Sequence, residues 1–141
     1  ICAGCNQMTD PRDVTGVWYG RWTATDRRIM PNSFIATLQE SASLVSGTIT
    51  EPDRQQAGLL RAIVDGTRNG GQIEFTKTYD GSGRLAHSVE YSGTVNAPGT
   101  EIAGLWRLAG YSGRFSMTRE QFDADALMDD ASAKLDEPVT V

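Results

Sequence analysis

The sequence contains only one histidine, two cysteines and five prolines among its 141 residues, and each scarcity excludes a kind of chemistry. Cys2-Ala3-Gly4-Cys5 is a lone C-x-x-C, half of a structural zinc site, and His87 has no second histidine to join it, so neither a metal nor a cofactor is expected. As a redox pair the motif lacks the strand-to-helix setting that lowers a thiol pKa. Apolar runs are short, the longest being Ile102-Ala103-Gly104-Leu105-Trp106, which excludes a membrane-spanning helix. Thirteen basic residues against 18 acidic ones give a net charge of −5. That balance excludes nucleic acid as an expected partner. There is no nucleophile elbow, no paired histidines and no phosphate-cradling glycine loop; Gly81-Ser82-Gly83 reads as a turn with His87 on the surface beside it. An enzyme is not expected.

The acidity is concentrated at one end. Residues 120–141 carry seven acids and one base, Lys134, whereas residues 1–119 carry a net +1. The length suits one domain, divided into an N-terminal segment (1–15), a body (16–119) and an acidic C-terminal extension (120–141). In that extension Phe122, Ala126, Leu127, Ala131 and Leu135 recur at helical intervals before Pro138. A short amphipathic helix and a solvated tail both fit.

Within the body the hydrophobic period is two. Eight strands are expected: Gly16 to Thr23, Ser33 to Glu40, Leu44 to Thr50, Leu59 to Thr67, Gln72 to Tyr79, His87 to Val95, Glu101 to Leu108 and Tyr111 to Thr118. Their connections, such as Asn69-Gly70-Gly71 and Asn96-Ala97-Pro98-Gly99, are built from turn formers. One phase collects Trp18, Trp22, Phe34, Phe75, Tyr79, Tyr91, Trp106 and Phe115, and the other is mostly polar, as a sheet with one apolar face requires. Six glycines (Gly20, Gly47, Gly66, Gly93, Gly104, Gly113) interrupt the apolar phase. Glycine weakens a flat strand, so its recurrence implies strong bending and room for neighbouring rings. An all-β, eight-stranded antiparallel up-and-down β-barrel follows.

Gly16-Val17-Trp18 resembles the Gly-x-Trp opening of the calycin superfamily, and Arg119 matches the basic residue that packs over that tryptophan. The segments 73–79, 89–93 and 102–108 are similar in order and spacing to strands of its avidin group; lipocalins share the barrel. The resemblance implies barrel closure by Trp18 and Arg119 and a ligand chamber inside. Gly20 stands where avidins carry a polar side chain, and Phe75 and Tyr91 stand where they carry tryptophans, with Trp106 alone retained. These departures argue against biotin.

The expected role is therefore non-catalytic binding of a small, largely apolar molecule, with Trp22, Phe34, Phe75, Tyr79, Tyr91, Trp106 and Phe115 as walls. Lys77 falls on the same inward phase, where a lysine is costly unless paired or solvated. It is the candidate anchor for a carboxylate or other polar head; a snorkelling stem is the plainer reading. The alternative function is a protein-interaction or inhibitor module with a solid, side-chain-filled barrel. Outward Val17, Ile35, Ile63 and Leu105 would form its contiguous patch, and with Leu44 they could instead cover a tail helix or join copies into a homo-oligomer. Ala3-Gly4-Cys5 resembles the end of a bacterial lipoprotein signal. Lipidation of Cys5 would bring the barrel to a membrane; without it the cytoplasm is favoured.

Overall fold

A computed structural model of the chain describes residues 10–80 and 87–119. The cysteine pair, the Gly81-Ser82-Gly83 turn and the acidic extension lie outside them. Eight strands follow one another in order: β1 (Gly16–Ala24), β2 (Asn32–Ser41), β3 (Leu44–Pro52), β4 (Leu59–Asn69), β5 (Gln72–Tyr79), β6 (Ser88–Val95), β7 (Glu101–Leu108) and β8 (Tyr111–Thr118). Each pairs antiparallel with the next, and β8 pairs back onto β1, so the sheet is a closed barrel. No helix occurs among the described residues.

Sequence alternation places the side chains. In β2 the pattern Phe34, Ala36, Leu38 is buried while Ser33, Ile35, Thr37 and Gln39 are exposed, and the other strands repeat it. β5, β7 and β8 have the expected bounds. β2 begins one residue early, at Asn32, while β3 and β4 run two residues further, to Pro52 and Asn69. The backbone ladder does not stop where side chains turn polar: Glu51 pairs with Leu60 and Arg68 with Ile73. Three polar residues are thereby carried into the barrel on the inward phase, Asn32, Glu51 and Arg68, all buried.

The glycines serve two purposes. A Cβ on Gly20 would stand 2.2 Å from the Phe34 ring, so here the missing side chain is replaced by an aromatic one, and one on Gly93 would meet both the Ala103 carbonyl oxygen at 2.8 Å and the tip of Phe115 at 2.9 Å. At Gly47, Gly66 and Gly104 the obstruction is backbone, a carbonyl oxygen of the adjoining strand 2.0 Å away in each case. Such approach between strands is open to no other residue.

One end of the barrel is sealed. Residues 10–15 cross it, Val14 is fully buried, and its carbonyl accepts the Trp18 indole N–H at 2.9 Å. The Arg119 guanidinium lies 4.3 Å above the Trp18 ring and donates to the carbonyls of Gly99, Thr15 and Asp13 at 2.8, 2.8 and 2.6 Å. Arg68 reinforces the plug through Glu40 at 2.6 Å and Asp10 at 2.8 Å. Arg119→Ala removes the cation–π contact and four carbonyl bonds, the fourth to Pro11 at 3.4 Å, and is expected to cost about 2 kcal/mol, about 8 °C in a domain of this size. Scanning calorimetry checks it, and an unshifted midpoint would refute a closing role for Arg119.

The outward apolar residues do not form one patch. Ile35 pairs with Tyr19 on β1, but Leu105 stands on β7 between Ser92 and Arg114, separated from β1 by the whole of β8. The expectation of a contiguous Val17, Ile35, Ile63 and Leu105 surface is corrected by barrel order.

Candidate functional site: a charged cluster at the loop end

At the end opposite the plug, the strands are joined by the longer loops 25–31 and 53–58 and the turn at 109–110. Just inside it Lys77 projects inward from β5, as its phase predicts, and is only 1% exposed. Its Nζ is 3.1 Å from Glu51 Oε1, and Glu51 is itself 1% exposed. The carboxylate expected from a ligand is supplied here by the chain.

Glu51 is held by four donors. Oε1 accepts from Lys77 and, at 2.5 Å, from the Tyr79 hydroxyl. Oε2 accepts from the Trp22 indole at 3.0 Å and the Asn32 amide at 3.1 Å. A carboxylate has about four acceptor positions, so none is left over. Asn32 is equally committed: its amide also donates to the Pro52 carbonyl at 2.9 Å, and its oxygen accepts from Ser33 N–H at 3.1 Å and Arg54 at 3.3 Å. Lys77 is less so. It makes one hydrogen bond and otherwise lies over the Tyr79 and Tyr91 rings, 4.6 and 5.3 Å from their centroids.

Burial pushes the Glu51 carboxyl up, but the Lys77 charge and the donors of Tyr79 and Trp22 outweigh it and hold the group below the usual value. Burial lowers the Lys77 ammonium by more than Glu51 restores. Tyr79 and Tyr91 are driven well above the usual phenol value, first by burial and then by the Glu51 charge. Both remain protonated, so Tyr79 acts as a donor.

The eight expected lining residues separate into groups. Trp22, Lys77, Tyr79 and Tyr91 meet at the cluster. Trp106 packs edge-on to Trp22 with centroids 5.7 Å apart and donates its indole N–H to the Thr23 carbonyl at 2.9 Å. Phe75 stacks on Tyr91 at 4.7 Å, and Phe115 meets Tyr91 edge-on at 4.9 Å, so these two back the Tyr91 ring from deeper in the barrel. Phe34 instead fills the space above Gly20. His87, expected on the surface, is half-buried with its ring 5.0 Å from that of Tyr79, because the ladder between β5 and β6 continues past Ser88 and the Tyr79 N–H donates to the His87 carbonyl at 3.3 Å.

Glu51 and Asn32 are not legible as site residues from a pattern that ends the third strand at Thr50 and begins the second at Ser33. The available signal was Lys77 itself, since an inward lysine demands an inward acid, and Glu51 is the next inward position after Val45, Gly47 and Ile49.

Hollows also occur outside the barrel. An open one of about 900 Å³ crosses β4 to β8 past Asp65, Glu74, Glu90, Leu105, Arg107 and Arg114. Its charges are of both signs and solvated, with Glu90 and Arg107 paired at 3.0 Å. Another, of about 550 Å³, lies against β1, β2, β3 and β8 beside Tyr19, Ile35 and Leu59. Among the described residues no group of three or more His, Cys, Asp or Glu side chains could hold a metal ion.

The architecture is a closed, eight-stranded up-and-down antiparallel barrel, compatible with a calycin-like fold. No family model matches the chain, and no curated protein matches it.

Proposed function

We propose that this protein is a calycin-like binder, taking a small, largely apolar molecule into the loop end of its barrel without chemical turnover. The observation that carries this reading is the difference between the two ends. Toward the plug, the inward residues Trp18, Leu38, Ile73, Val95, Ile102 and Met117 are at most 1% exposed. Toward the loops, Trp22, Ala24, Tyr79 and Leu108 are only partly buried although they pack against the same core. Apolar surface left uncovered on the inside of a barrel suits a ligand that covers it. Trp22, Tyr79 and Trp106 would form its walls, Tyr91 and Lys77 the floor, while Phe34, Phe75 and Phe115 pack the barrel beneath.

The test uses a hydrophobic fluorescent probe. Saturable uptake is expected, weakened about tenfold, or 1.4 kcal/mol, by Leu108→Arg at the loop end and unaffected by Ile35→Arg on the outer wall. No saturable uptake by the wild-type protein overturns the reading. A second reading, the protein-interaction module, is favoured by the outer hollow whose rim holds Tyr19, Ile35 and Leu59, which are 59%, 47% and 71% exposed. On that reading Ile35→Arg, not Leu108→Arg, is the damaging change.

A further inference from the structure

The hydrogen-bonding state of the cluster narrows the ligand class, on the premise that the loop end is the binding site. We infer that the ligand presents a neutral hydrogen-bond acceptor, a carbonyl or amide oxygen, to Lys77, and that a carboxylate is disfavoured.

The inference follows from what is already used. Every acceptor position of Glu51 is occupied by Lys77, Tyr79, Trp22 or Asn32. The Asn32 amide has both donors and its oxygen engaged. A ligand donor arriving here would have to displace one of these bonds. Donor capacity, by contrast, is in surplus: an ammonium has three N–H groups, and Lys77 spends one on Glu51, leaving the others against the faces of Tyr79 and Tyr91. Exchanging a ring face for a carbonyl oxygen gives a charge-assisted hydrogen bond and leaves the four bonds of Glu51 intact.

Charge decides between acceptors. Glu51 and Lys77 cancel each other in a site that is 1% exposed at both residues. A carboxylate entering it would be a third charge, drawn to Lys77 but repelled by Glu51 bonded to that same ammonium, and its lost hydration would go uncompensated. A neutral oxygen leaves the site neutral. Among the described residues, Arg54 also reaches the cluster, and it is exposed and turned to Asn32 at the rim.

The experiment compares decanamide with decanoate at neutral pH by displacement of the fluorescent probe, using wild-type protein, Lys77→Met and Glu51→Gln, each first checked for a cooperative thermal transition. Wild-type protein is expected to bind the amide at least tenfold more tightly than the carboxylate. Lys77→Met should lose that preference by weakening the amide. Glu51→Gln should reverse it, because Lys77 then lacks an anion and the decanoate supplies one. Should Glu51→Gln not fold, the wild-type and Lys77→Met comparison decides alone. Equal or tighter wild-type binding of decanoate overturns the inference while leaving the binding site standing. Probe uptake that neither compound displaces overturns it also, whereas absence of probe uptake removes the proposed function itself.

Discussion

Glu51→Ala is expected to lower the unfolding free energy by about 3–5 kcal/mol, because it leaves the Lys77 ammonium buried without a counter-charge. Removing both charges should do far less. Glu51→Gln combined with Lys77→Met keeps an acceptor for Trp22 and Asn32, and fills the lysine's volume with an apolar chain. Since desolvation of a buried pair commonly offsets its attraction, the double variant is expected within about 1 kcal/mol of wild type, or above it. Urea denaturation of the three proteins gives the comparison; equal losses in single and double variants would show that the cluster acts through packing alone. The pair also sets a pH limb. Glu51 titrates below its usual value of 4.5 when folded, so its contribution is complete above that value and is lost as pH falls through the lower, folded one. The double variant should lack this part of the acid destabilisation.

Gly104→Ala is the second large effect. Its Cβ would lie 2.0 Å from the Ser92 carbonyl oxygen and 2.5 Å from the Gly93 Cα, both on the neighbouring β6 backbone. Relief requires parting two paired strands in a barrel that has no free edge, so a loss of about 3 kcal/mol or more is expected. Gly20→Ala meets only the ring of Phe34, and a ring can be replaced. Phe34→Leu should therefore recover at least half of the loss at Gly20, and no second-site change within the barrel interior should do the same for Gly104. Thermal unfolding of the single and double variants measures this coupling directly. If Gly104→Ala unfolds like wild type, the close approach of β6 and β7 is not a requirement of the fold.

The eight strands, their antiparallel order and the inward set were legible in the sequence because strand periodicity is local: a side chain's face follows from its neighbours two residues away. The pairing of Trp18 with Arg119 was legible too, as a resemblance, and the two stack at 4.3 Å. The plug contributed by Arg68 was not, nor was the partner of Lys77. Glu51 lies 26 residues from Lys77 and 29 from Trp22, on strands that become facing walls only when β8 closes onto β1. Asn32, Glu51 and Arg68 each sit just past an expected strand end, where polar character suggests a turn and the backbone ladder in fact continues. By itself the sequence determined that a sheet with one apolar face must bend around its glycines. Tertiary closure decided which end was plugged and which left partly uncovered, and that Lys77 would meet a carboxylate of its own chain, since the contacts responsible connect residues no local pattern relates.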